Sequence, residues 1–445
     1  MMKKSKYLFL FVVIYLLCFC YSYFISRVYS DEIWNYGFSY NISLGMVPYR
    51  DFNLVTTPLY SMLASIFIKI FGHHLYSLHI FNSLILVSII FIMYKKIGKR
   101  SLILIPFILL NCYPGYNIFC VFIILLLLYI VNFNFKYKDI ILGFLIGLAF
   151  LTKQTVGICL IIPLLFYSKD KLKSFISFFI PTFVFFIYLI WNHALYQYID
   201  YCFLGLFDFG QSNGVFLFLP IEIIICFILG YNLFKSKFFN QKLFYLLMFQ
   251  VITVPIVDDY HFMIGFIPVF YYFLECVKID NYKLKYYFVI SLFFCCLWNF
   301  YVHPYEFGHL YSDKNSYLYG RNIPEYVENS VTKISNYINA VRNDYDYVYF
   351  FSANAYYVKL NINYIITKYD MINNGNMGYH GGAYYMDEIN DYCDSHSCIF
   401  ILYQYEFREN NVSQTSQELV DYVKNTYTKF DNFDSFDIYV SKDLF

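Results

Sequence analysis

The chain has 445 residues, 59% apolar and 24% aromatic, and only 14% are charged, against about 25% in a soluble domain. That composition excludes disorder and a soluble enzyme, and the lack of evenly spaced alternating strands argues against an outer-membrane barrel. The net charge of +1 hides an asymmetry: residues 302–445 hold 10 Lys+Arg and 19 Asp+Glu, while the first 301 hold 22 and 12, so two parts of the chain meet different environments.

About 20 apolar residues cross a ~30 Å hydrocarbon core. In chain order, apolar runs predict helices over 7–25, 75–94, 101–112, 117–133, 141–152, 156–168, 174–192, 215–233, 243–257, 262–277 and 286–302. The 101–112, 141–152 and 156–168 pieces are short for a span and point to tilted, broken or protein-buried helices. The fold class is mainly α, polytopic transmembrane helical with about 11 spans over residues 1–301, and a C-terminal extracytoplasmic α/β domain over 302–445. The run at 7–25 lacks a small-residue cleavage site, which reads as a retained first helix.

Cytoplasmic loops carry excess Lys and Arg. With the N terminus inside, the inner loops hold 18 of the 22 basic residues before the tail; Arg27, Arg50, Lys69 and Lys153 are the exceptions. This predicts a multi-pass cell-membrane protein with a cytoplasmic N terminus. Asp31, Glu32, Asp51, Asp200, Asp208, Asp258 and Asp259 then map to the outer side. Outer placement of a carboxylate is expected, because burying its charge in lipid is costly. Basic residues beside acids on that side need a reason.

The first outer loop, 26–74, is the longest. Ser30 suits the cap of a short helix whose first turn holds Asp31 and Glu32, favourable at the positive end of the helix dipole. Pro58 starts a second apolar stretch, Leu59 to Phe71, too short to span and suited to a surface or re-entrant helix. An irregular Gly45–Phe52 turn lies between them. Arg50 and Asp51 there read either as a solvated ion pair or as part of a site.

Lys153, in GLAFLTKQTVG, falls at the outer end of a short helix. Its ammonium either snorkels to the interface or binds an anion, with Gln154 and Thr155 as neutral donors. The sequence VPIVDDYHF packs Asp258, Asp259, Tyr260 and His261 into one tight connection. It reads as a solvated turn, or as a cavity wall where Asp259 and His261 meet a substrate.

In the tail, Ile323 to Val341 and Leu419–Asn425 read as helices. Val348–Phe351, Ile399–Tyr403 and Ile438–Val440 read as strands, and Asn373–Gly382 as a loop. Cys393 and Cys398 are either a local disulfide or two thiols, and with His396 they make an incomplete zinc set. The Asp344-Tyr-Asp346 pattern reads as a turn before a strand. No nucleotide-binding or serine-hydrolase motif and no basic nucleic-acid face is present.

A first outer loop with Asp-Glu, then G-x-x-P-Y-R-D-F, then a Pro-Leu-Tyr helix ending in Phe-Gly, together with LTKQT, resembles the GT-C superfamily of integral-membrane glycosyltransferases. The likeness is to the branch of protein O-mannosyltransferases and aminoarabinose lipid A transferases. It covers residues 1–300 in architecture, with specific motifs in 31–58, 150–157 and 255–262. The tail is similar to the small extracytoplasmic domains of bacterial members.

The resemblance implies a polyprenyl-phosphate-linked sugar donor and transfer on the outer face to a glycan, lipid or protein acceptor. Asp31 matches the family's acceptor-activating base and Lys153 its donor-phosphate contact. Glu32 and Asp51 are expected to assist Asp31, with Arg50 and His261 as further phosphate contacts. Gln154, Asp259 and Tyr49 are expected substrate contacts. Many members carry another acid in the second outer loop, but NCYPGYN has none. Asp51 or Asp259 is the available substitute, and the sequence does not require a divalent cation. The alternative is a multi-span transporter or flippase of envelope precursors. Such proteins place ionisable groups near the midplane of repeated halves, and neither feature is evident in this sequence.

Overall fold

The computed structural model describes residues 2–26, 30–206, 209, 214–302, 308–314, 316–323, 333, 336–337, 340, 347–351, 377–379, 381–403, 414–433 and 436–441. Arg27, Asp208, the Asp344–Asp346 pattern and most of the helix expected over 323–341 lie outside them.

The N-terminal part is helical. α1 (Met2–Cys20) runs on as a π-helical turn to Ile25, followed by α2 (Ser30–Ser43), α3 (Leu59–Phe71) and α4 (Leu75–Ile97). Both helices expected in the first loop are present. α2 lies inside protein: residues 32–39 are all buried. Trp34, Tyr36 and Phe38 supply the apolar bulk that lets a 14-residue helix sit inside protein.

The expected 101–112 helix is a 3-10 segment (Gly98–Leu104) followed by α5 (Ile105–Leu110). Pro106, which has no N–H to donate, stands in the first turn of α5. α6 (Tyr116–Ile130), α7 (Lys138–Phe150), α8 (Gln154–Tyr167) and α9 (Lys171–Trp191) follow. A short α10 (Leu195–Ile199) and a π turn (Asp200–Leu204) come next, and the sequence reading had missed both. α11 (Leu219–Lys235), α12 (Gln241–Phe249), α13 (Asp259–Cys276) and α14 (Asn281–Val302) complete the bundle. The 243–257 expectation breaks after Thr253, because Pro255 disfavours helix in the residue before it.

Small residues let α7 and α9 touch. A Cβ added to Gly143 would lie 2.4 Å from the Ser174 carbonyl oxygen, and one on Gly147 2.4 Å from that of Phe178. This is the small-xxx-small spacing that packs helices in lipid, where hydrophobic burial offers little drive. Among the described residues, Leu75–Leu110 and Lys171–Trp191 are long and apolar enough to cross a membrane; shorter apolar helices include Phe9–Ile25, Tyr116–Ile130 and Gln154–Tyr167. α9 exposes Phe183, Val184, Ile187 and Trp191, an uncovered apolar face of the kind lipid covers.

The basic loops gather at one end. Lys96 and Lys242 both reach Glu275, at 3.3 and 2.5 Å, and Arg100 donates to the carbonyls of Leu274 and Val277. Asp139 accepts from the backbone of Lys169.

In the tail, β1 (His309–Leu310) pairs antiparallel with β2 (Asn322–Ile323). A four-stranded sheet has the order β3 (Tyr347–Phe351), β4 (Cys398–Tyr403), β6 (Phe436–Val440), β5 (Thr428–Phe433). β3 and β4 are parallel and the other pairs antiparallel. Ile399, Phe400 and Ile401 are all buried, so both faces of β4 are covered. α15 (Gly381–Cys393) and α16 (Gln414–Thr426) pack together. Of these elements, β1, β2, α15 and β5 had no counterpart in the sequence reading. Cys393 and Cys398 form a disulfide with Cα atoms 5.8 Å apart.

The segment 309–323 belongs spatially with the helices. Leu75 donates its N–H to the Tyr317 carbonyl, Tyr317 stacks on Tyr36 of α2, and Ser316 is buried.

Candidate active site

At the end of the bundle away from the basic loops, the first loop is stapled to the α7–α8 turn. Leu59 N–H donates to the Leu151 carbonyl (2.8 Å), Thr57 Oγ1 to Phe150 O (2.6 Å) and Gln154 Nε2 to Val55 O (3.0 Å). The turn is sharp because Gly157 lies against Phe150, where a Cβ would come within 2.3 Å. Lys153 is thereby fixed as the residue that enters α8, with extended backbone.

Its ammonium donates to the Ile252 carbonyl (2.8 Å) and to Asn117 Oδ1 (3.4 Å), and lies 5.8 Å from the centre of the Tyr116 ring. An ammonium has three donors, so one remains for a ligand. Asn117 Nδ2 meets His261 Nε2 at 3.2 Å. Asp258 caps α13: its Oδ1 accepts from the His261 backbone N–H (2.8 Å) and meets His261 Nδ1 at 2.9 Å.

Asp31, half-buried at the start of α2, lies within electrostatic reach of His261, Asp258 and Lys153. Burial pushes its carboxyl above the ordinary carboxylate range; the Lys153 charge opposes that, while Asp258 adds to it. Asp258 moves the other way. Burial would raise it, but the His261 hydrogen bonds and the Lys153 charge hold it below its ordinary value. A cavity of about 70 Å³ is lined by Thr56, Tyr116, Lys153, Gln154, Thr155 and His261, among others. One acid whose proton affinity is raised, beside a half-buried cation with a spare donor, is an arrangement suited to taking a proton and holding an anion.

The expected site residues divide. Asp31, Lys153 and His261 come together. Asp258 is the acid on His261, whereas the sequence reading had paired Asp259 with it; Asp259 is the first residue of α13. Gln154 lines the cavity but spends both amide donors internally, on Val55 O and Cys202 O (2.9 Å). Its Oε1 and the Thr155 hydroxyl are buried without a hydrogen-bond partner.

Glu32 points elsewhere. It is fully buried, accepts from Arg321 Nε (2.9 Å) and Nη2 (2.8 Å), and meets His79 Nε2 at 2.7 Å. Arg50 and Asp51 pair with each other at 2.7 Å, and Asp51 Oδ2 also accepts from Val47 N–H (2.7 Å), closing the Gly45–Phe52 turn. Tyr49 is fully buried in that turn at φ 73°, with its hydroxyl on the Thr56 carbonyl (2.9 Å) and its ring against Tyr198. For a bulky residue this backbone is strained by roughly 1–3 kcal/mol. These contacts account for Tyr49, Arg50 and Asp51 as builders of the loop.

Sequence reasoning missed Asn117 and Arg321. Asn117 ends the acid-free NCYPGYN loop; an amide opening the apolar α6 was the available signal. Arg321 carried none. Among the described residues, no group of three or more His, Cys, Asp or Glu could hold a metal ion.

No protein-family model and no curated protein matches the chain. Its fold is like that of solved ArnT structures. The crystal structure of ArnT from Cupriavidus metallidurans bound to undecaprenyl phosphate aligns with a TM-score of 0.57 over 99% of each chain, at 9% identity. The apo structure of the same protein gives 0.55 over 98% of each, also at 9%. At that identity the likeness concerns the fold alone.

Proposed function

We propose that the protein is a membrane glycosyltransferase that moves a sugar from a polyprenyl-phosphate donor to an acceptor hydroxyl on the outer face of the membrane. The observation that carries this is the meeting of Asp31 with Lys153 beside one cavity, on a fold like that of a protein solved with undecaprenyl phosphate.

A polyprenyl phosphate is already an activated leaving group, so no nucleotide-binding fold is needed. The acceptor hydroxyl loses its proton as it attacks the anomeric carbon, and Asp31 takes that proton as general base. Such a base contributes about 10²–10⁴-fold. As the sugar–phosphate bond breaks, charge grows on the phosphate, and the Lys153 ammonium stabilises it. A single displacement inverts the anomeric centre. Glu32, through Arg321, and Asp51, in the Gly45–Phe52 turn, assist by supporting the first outer loop that carries Asp31. The basic loops at the opposite end support a cytoplasmic placement for that end.

The test is binding of undecaprenyl phosphate to the purified protein. Lys153→Ala weakens it at least tenfold while the protein stays folded, and Lys153→Arg keeps part of it because the charge survives. Undiminished binding by Lys153→Ala overturns the phosphate assignment.

A further inference from the structure

We propose that Asn117 is a positioning residue that fixes His261 as a neutral imidazole, with its proton on Nδ1, and so leaves Lys153 as the cation of the site. The inference deepens the transferase reading and rests on it for its binding consequence alone.

The argument is one of donors and acceptors. An ammonium only donates, so Asn117 must turn Oδ1 to Lys153 and Nδ2 to His261. An amide NH₂ only donates, so His261 Nε2 must accept. The imidazole proton then sits on Nδ1 and is donated to Asp258 Oδ1 at 2.9 Å. Each link forces the next, from Lys153 through Asn117 and His261 to Asp258. Asn117 and His261 are 2% and 7% exposed, so water cannot readily replace a lost partner.

A second proton on His261 would turn Nε2 into a donor facing a donor. Asn117 would have to flip, and its NH₂ would then face the Lys153 ammonium. The relay therefore opposes an imidazolium, although Asp258 on the same turn and Asp31 from α2 are both acids that would welcome one. The other charged or titratable groups facing this point are Lys153, Tyr116 on α6 and Tyr260 on α13. The sequence reading had His261 as a phosphate contact. The relay instead makes it an acceptor that holds Asn117, and through Asn117 orients the lysine.

The test is nitrogen NMR of the ¹⁵N-histidine-labelled full chain, with the His261 signal identified by its loss in His261→Gln. Expected at pH 7 is a protonated Nδ1 and a bare, accepting Nε2. Asn117→Asp keeps the shape but only accepts, so its His261 should show both nitrogens protonated. The new carboxylate should also weaken undecaprenyl phosphate binding at least tenfold. Wild-type His261 with its proton on Nε2 or on both nitrogens overturns the proposal, as does an Asn117→Asp spectrum identical to wild type. If Asn117→Asp does not fold, the wild-type spectrum alone decides. If the spectra change as expected but undecaprenyl phosphate affinity does not, the relay stands and the phosphate reading falls.

Discussion

Arg321 and Glu32, 289 positions apart in the chain, face each other in a two-pronged ion pair with both side chains fully buried. Arg321 also donates to the Tyr23 carbonyl (2.6 Å) and the Ser26 carbonyl, so one guanidinium ties the segment after α14 to α1 and α2. His79 on α4 supplies the third hydrogen-bonding contact of Glu32 and meets Ser22 through Nδ1 at 3.0 Å. The first turn of α2, which carries Asp31, is therefore held from three sides.

Arg321→Ala leaves the Glu32 carboxylate buried with His79 as its remaining partner. Losing one member of a buried pair costs about 3–5 kcal/mol, and thermal unfolding in detergent should show it. The pH dependence has a definite sign. Burial would raise the Glu32 pKa, but Arg321 and His79 together bring it down from 4.5 to about 2. Stability from this group is present above pH ~4.5 and is lost as pH falls through about 2. Wild type should lose stability across that window, and Glu32→Gln should lack that share of the slope. Equal slopes would contradict the pairing.

The Cys393–Cys398 disulfide closes a loop of sequence separation 5. A loop so short contributes about 2 kcal/mol in the chain-entropy picture. Alkylation of the unfolded, unreduced chain should modify every cysteine except these two, and both should react after reduction. Alkylation of either without reductant would contradict the bond.

The basic loops predict the sidedness. Ser316 is buried and unsuitable as a probe, whereas Ser312 is exposed. In a background without other reactive cysteines, Ser312→Cys should react with an impermeant maleimide in intact cells. Labelling only after lysis would reverse the orientation, and with it the outer placement of Asp31 and Lys153.

What the sequence disclosed, and what it hid, follows from the range of the forces involved. α2 and α3 were readable because a dipole-suited acid pair and a Pro start are local signals. Lys153 stood out because a cation after an apolar helix needs a reason. Asp31 and Lys153 were matched through motifs, and the fold likeness bears out that kind of architecture. The Glu32–Arg321 pair was invisible because nothing local marks a partner 289 residues away. Adjacent acids on a helix face different sides, and only tertiary structure told which came within electrostatic reach of Lys153. Asn117 was overlooked because an amide acts through its orientation, which only its neighbours set. The break after Thr253 was legible in Pro255, but the apolar run masked it.

The central claim is that Asp31 is the base. Asp31→Asn keeps shape and removes basicity. In a purified-protein assay of sugar transfer from a polyprenyl-phosphate sugar, it should lower the rate about 10²–10⁴-fold and leave donor binding nearly intact. Because burial raises the Asp31 pKa above 3.8, wild-type activity should fall on acidification at a higher pH than an ordinary carboxylate would set. Transfer by Asp31→Asn at the wild-type rate would contradict the account.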